Sequence, residues 1–187
     1  MSVTTLDPKT ALVVIDLQKG IAALPCVDPI GAITDKANDL SRAFRKRGLP
    51  VVLVNVAGTP AGRTEQSRRS MPFPPDWADL LPELEQRAED HLVTKHTWGA
   101  FPGTGLESWL RKADVTHIVL AGVATSIGVE STAREAHALG FNVTLAIDAM
   151  TDLSAEAHAN SVARIFPRLG ETGTTQEIVA MLDEPGA

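Results

Sequence analysis

Two charged residues stand where hydrophobic runs stop. Asp16 closes the run Ala11-Leu12-Val13-Val14-Ile15, and Lys95 closes His91-Leu92-Val93-Thr94. An aspartate can give or take a proton, and a lysine beside it favours the ionised carboxylate, so the two suit acid–base work. A third feature is the turn Gly122-Val123-Ala124-Thr125-Ser126-Ile127-Gly128, which follows the run His117-Ile118-Val119-Leu120-Ala121. Thr125 and Ser126 are good helix N-caps, so backbone N–H groups point outward there and can receive an anion or a developing oxyanion. Each feature also has a plainer reading: a solvated strand end for Asp16, and a tight turn packing a helix on a sheet for the glycines. The glycine spacing is not that of the dinucleotide fingerprint.

Other reactive side chains form no constellation. The five histidines, His91, His96, His117, His137 and His158, lack metal-ligand spacing. His96 alone is retained as a supporting group, because it follows Lys95. Trp98 and Phe101 come soon after Lys95, and core packing or the lining of a pocket explains them equally well. Cys26, the one cysteine, has no base or helix start beside it and reads as an inert small hydrophobe.

The elements that must position these residues alternate. Apolar runs at 11–15, 51–56, 91–95, 117–121 and 143–147 have the shape of strands buried on both faces, with a short sixth strand near 171–172. Helical patterns lie at 30–47, 104–112, 126–139, 154–166 and 175–182. Strands alternating with helices imply an α/β chain with a mainly parallel sheet and both faces covered. Ligands of such sheets bind outside the carboxyl ends of the strands, where Asp16, Lys95 and the glycine turn all fall. Residues 57–77 fit neither pattern; rich in Pro, Gly, Ser and Arg, and carrying Arg63, Arg68 and Arg69, they read as a lid or as a disordered loop.

The 187 residues suit a single domain, 1–187, without repeats or composition shifts. A net charge of -6 argues against nucleic acid as a partner but leaves room for an anionic small molecule in a local basic pocket. No apolar run approaches the roughly 20 residues of a membrane helix, and the first residues lack the pattern of a signal peptide. A cytoplasmic location and no membrane contact are therefore expected.

Taken together, the motifs resemble the isochorismatase-like hydrolases, a superfamily that includes nicotinamidases and N-carbamoylsarcosine amidases. Ala11 to Gln18 resembles the opening strand with its D-x-Q. Lys95-His96-Thr97-Trp98-Gly99-Ala100-Phe101 resembles K-x-x-x-S-A-F, with Gly99 in place of serine. Gly122 to Arg134 resembles G-V-x-T-N-x-C-V-E-S-T-A-R, with Gly128 in place of the catalytic cysteine, and Asp148-Ala149 resembles the D-A after the fifth strand. The resemblance implies a Rossmann-like three-layer α/β/α fold with a six-stranded, mainly parallel sheet, assembled as a dimer or larger homo-oligomer. It implies catalytic roles for Asp16, Lys95 and Gly128, a substrate site including Gln18, Trp98, Phe101, Ala124 and Thr125, and a cis peptide between Val123 and Ala124. It implies no metal or other cofactor, since Val56-Ala57-Gly58-Thr59 stands where nicotinamidases carry an Asp-x-His cluster.

Glycine at 128 excludes thiolate attack from that position. The isochorismatase branch shares this glycine and cleaves a vinyl ether without a covalent enzyme intermediate, yet Ala124-Thr125-Ser126 resembles the amidase branch. The leading expectation is a metal-independent hydrolase of a small, anionic metabolite, working through Asp16, Lys95 and water. A second reading is a catalytically silent ligand-binding or regulatory relative. A third is a cysteine amidase whose nucleophile has been exchanged for Gly128.

Overall fold

The computed structural model describes residues 3–65 and 73–184. Six strands, β1 (Thr10–Ile15), β2 (Val51–Val56), β3 (His91–Lys95), β4 (His117–Val123), β5 (Asn142–Thr151) and β6 (Glu171–Gly173), form one sheet in the order β3-β2-β1-β4-β5-β6. Every pairing is parallel. The chain winds outward from β1 to β3, then returns to β4 beside β1 and winds the other way. The order reverses between β1 and β4, and that is where a crevice opens at the strands' carboxyl ends.

The side-chain period of two divides the core between the faces of the sheet. Leu12 and Val14 of β1, Leu53 of β2 and Val119 of β4 pack with Ala37, Leu40 and Phe44 of α2 (Ile30–Lys46) and with Ile178 and Leu182 of α6 (Thr175–Asp183). Ala11, Val13 and Ile15 pack on the other face with Leu106 and Leu110 of α3 (Leu106–Lys112) and with Ala133 and Ala136 of α4 (Glu130–Ala138). Every residue of β1 is buried, which is why its sequence shows a continuous apolar run rather than an alternation. The remaining α-helices are α1 (Lys19–Ala22), a single turn absent from the sequence reading, and α5 (Ala155–Asn160), which runs on through a wider turn to Ile165 and a short 3-10 turn, Phe166–Arg168.

Two elements depart from expectation near the crevice. β5 continues past Asp148 to Thr151 through an irregularity: Leu120 pairs with Leu145, but Gly122 pairs with Met150. Asp148 does not end the strand because its carboxylate is taken up sideways, by Lys36 Nζ at 2.7 Å and by the Thr175 N–H at 2.7 Å. The helix expected from 126 begins instead as a wide turn, Thr125–Val129, in which the Val129 N–H reaches back five residues to Ala124 O at 3.1 Å. α4 takes over only at Glu130.

Candidate active site

Asp16 leaves β1 with φ 52°, a left-handed conformation that aspartate tolerates better than most residues. Its N–H still donates to Val54 O of β2, so the backbone is anchored while the side chain turns off the strand line. Lys95, at the end of β3, is 1% exposed and extends its ammonium to Asp16 Oδ2 at 2.8 Å. The same ammonium donates to Thr97 O at 3.1 Å. Asp16 Oδ1 is buried and has no hydrogen-bond partner. Burial pushes the Asp16 carboxyl up to about 6 from 3.8, and Lys95 opposes that rise without cancelling it.

β4 supplies the opposing wall. Gly122 has φ 114°, and a Cβ there would lie 2.0 Å from Ile15 O, so β4 approaches β1 as closely as it does only because residue 122 lacks a side chain. The peptide between Val123 and Ala124 is cis, as the resemblance implied. Gly128 then lies directly over the acid: a Cβ built on it would be 3.3 Å from Asp16 Oδ2 and 3.0 Å from Ile15 Cγ2. Asp152, 2% exposed, secures this turn by accepting from the Ser126 N–H at 2.6 Å, and its other oxygen accepts from the N–H groups of Leu153 and Ser154.

A cavity of about 220 Å³ opens above these groups. Asp16, Lys95, Gly128, Ala124 and Trp98 all line it. Gln18, Phe101 and Thr125, expected to contact substrate, do not line it, and each is engaged elsewhere. Gln18 is fully buried; its Oε1 accepts from the Val56 N–H at 2.7 Å, and its Nε2 donates to Val56 O and Trp77 O. It thereby joins the exits of β1 and β2 and brings Trp77 to the cavity wall. Phe101 packs against Phe141, with ring centroids 5.9 Å apart, on the α3–α4 face of the sheet. Thr125 Oγ1 donates to Thr151 O at 3.1 Å and meets His158 Nδ1 at 2.9 Å. Its one proton being spent, the histidine must donate in that second contact.

His96 is exposed beside Gly58, outside the lining. Cys26 packs against the α2 side of the core, and burial together with Asp152 and Asp28 pushes its thiol up, away from nucleophilic thiolate. Of the arginines of the 57–77 stretch, Arg63 is exposed and outside the lining, while Arg68 and Arg69 lie outside the described residues.

Sequence reasoning passed over Glu135. A Cβ on Gly99 would lie 2.1 Å from either carboxylate oxygen of Glu135, so this acid occupies the space that serine's side chain would take at 99. Its Oε2 accepts from the Phe101 N–H at 3.2 Å, and its carboxyl is raised by burial against the pull of that N–H and of Lys95. The Gly99 departure was the available signal. The apolar wall made by Ile21, Leu24, Trp77, Ile127 and Leu153 was also missed.

A doubly wound parallel sheet with a buried acid–lysine pair at its strands' carboxyl ends defines an α/β protein with a candidate site at that edge. Comparison with known proteins gives the family. The Isochorismatase domain matches residues 10–177. The uncharacterized isochorismatase family protein YwoC of Bacillus subtilis (strain 168) is 42% identical over 178 residues, 91% of this chain and 93% of that protein. An isochorismatase family protein from Burkholderia thailandensis superposes with a TM-score of 0.93 at 41% identity, over 98% of this chain and 100% of that one. Streptothricin hydrolase of Streptomyces noursei is 32% identical over 140 residues, 74% of this chain and 48% of that protein. The chain belongs to the isochorismatase family and is a hydrolase of that family. Among the described residues no helix is long and apolar enough to cross a membrane.

Proposed function

We propose that this hydrolase acts on a small molecule with water as the nucleophile and Asp16 as the group that moves the proton, and that it forms no covalent intermediate. The observation that carries this is the asymmetry of the Asp16 carboxyl. Oδ2 is held by the Lys95 ammonium at 2.8 Å, whereas Oδ1 is buried without a partner. A carboxyl near 6 is mostly ionised at neutral pH, which suits a general base. The Asp16 carboxylate takes a proton from water, the water oxygen attacks the substrate's electrophilic carbon, and the proton passes from Asp16 to the leaving group. The space over Gly128, where a thiol would otherwise project, holds that water.

The test is a pH–rate profile for a substrate found by screening small metabolites. As a base, Asp16 gives a kcat/KM that falls as pH drops through about 6, and Asp16→Asn costs ~10²–10⁴-fold. A profile falling above that pH assigns the group the acid role of a vinyl-ether cleavage. An acyl or alkyl adduct on any side chain, in mass spectra of enzyme quenched during turnover, overturns the proposal. If no compound is turned over but ligand binding survives Asp16→Asn, the chain is a binding protein. If Gly128→Cys creates amidase activity from none, the chain is the scaffold of a cysteine enzyme.

A further inference from the structure

The described wall of the cavity has a composition unlike that of a site for anions. Among the described residues its charged groups are Asp16 and Lys95, which neutralise one another across 2.8 Å. Its other hydroxyl-bearing groups are Thr59 and Thr97, and Thr97 Oγ1 already donates to Gly99 O at 2.8 Å. The rest is chiefly apolar, with Leu24, Trp77 and Ile127 as examples. Three of the five large apolar side chains that the described surface leaves exposed border this cavity: Trp98 at 60%, Phe73 at 45% and Leu153 at 42%. Exposed apolar side chains clustered at one opening mark a binding surface, where scattered ones would need no explanation.

From this wall, and resting on the proposed Asp16 reaction, we infer that the substrate is an uncharged molecule with a flat apolar body of about one ring, its scissile group at one end. Size agrees with composition. An apolar cavity of about 150 Å³ holds benzene, so about 220 Å³ holds one ring together with an ester- or amide-sized group. The scissile group lies over Gly128 and Ala124, and the body runs outward between Trp98 and Leu153. A carboxylate in the same place would lose its water to an apolar wall and face the ionised Asp16. Lys95 could pair with it only by giving up Asp16. The anionic substrate expected from the sequence gains nothing from the described wall.

Calorimetric titration of the intact protein at pH 7.5 with phenylacetamide, phenylacetate and acetamide tests this without requiring turnover. Phenylacetamide is expected to bind at least about tenfold more tightly than either of the others, phenylacetate lacking neutrality and acetamide lacking the body. Trp98→Ala and Leu153→Ala, both at exposed positions, are expected to weaken phenylacetamide about 3- to 10-fold and to leave acetamide unchanged. Asp16→Asn frees Lys95 and is expected to close most of the gap between phenylacetate and phenylacetamide. Phenylacetate binding as tightly as phenylacetamide to the wild type, or phenylacetamide binding undisturbed in both wall variants, overturns the inference. Loss of turnover chemistry is read separately, from the pH–rate profile and the adduct search, so the two readings fail independently.

Discussion

Asp16 and Glu135 are two acids whose carboxyls burial raises, and Lys95 opposes the rise in both. Only Asp16 touches the ammonium in the structure. Glu135 works through the chain segment that follows Lys95. Thr97 O accepts from the ammonium, Thr97 Oγ1 donates to Gly99 O, and the Phe101 N–H donates to Glu135. Glu135 thus steadies the segment from which Lys95 is aimed, and it fits only because residue 99 has no side chain. Gly99→Ser is expected to push the carboxylate off the Phe101 N–H and to cost about 1–2 kcal/mol. Glu135→Ala gives up the same hydrogen bond, so the double variant should lose no more than the larger of the two single losses. Urea unfolding of the two single variants and the double variant closes the cycle, and additive losses would show that the two residues do not compete for one space.

At the scale of elements, the acid, the lysine and the glycine turn were legible because each terminates an apolar run, and a parallel sheet aligns such ends. What adjacency to a motif does not carry is side-chain direction. Gln18, Phe101 and Thr125 sit beside the right residues and point into backbone or core, whereas Trp77 reaches the cavity through a hydrogen bond to Gln18 that spans 59 residues and follows no local pattern. The extension of β5 was hidden for a similar reason: Asp148 looks like a strand end until Lys36 and Thr175 are seen to occupy it. That extension has a use. It carries Asp152 beneath the Thr125–Val129 turn, where one carboxylate holds the Ser126 N–H with one oxygen and the start of α5 with the other. Asp152→Ala is expected to cost about 2–3 kcal/mol, the range for buried hydrogen bonds to a charged group. Because Ala124, Gly128 and Leu153 all depend on this anchor, kcat/KM should fall with the melting temperature. Thermal unfolding and steady-state kinetics on one preparation check both, and full activity in a destabilised variant would separate Asp152 from the site.

For the molecule as a whole, the Asp16–Lys95 pair is a liability that function explains better than stability does. Both residues sit in the interior between strands that are otherwise apolar, and removing two charges from water costs more than their attraction returns unless every remaining lone pair is satisfied. Here Asp16 Oδ1 is not satisfied. The sign of the resulting pH dependence follows from the direction of the shift. The carboxyl titrates higher in the folded chain than its ordinary 3.8, so the fold holds the proton more tightly than the unfolded chain does. The stability this contributes is complete below pH 3.8 and is lost as pH rises through about 6. Lys95→Met alone leaves an ionised carboxylate unpaired in the interior and should cost about 3–5 kcal/mol at pH 7.5. Asp16→Asn with Lys95→Met removes both charges, and this inactive double variant should be as stable as the wild type or more so, by up to about 3 kcal/mol at pH 7.5. Its advantage should shrink toward pH 4.5, where the wild-type carboxyl is largely protonated and the penalty for its charge is gone. Urea unfolding of the wild type, Lys95→Met and the double variant at both pH values measures this. A double variant less stable than the wild type at pH 7.5 would mean that the pair holds the sheet together as well as serving the chemistry.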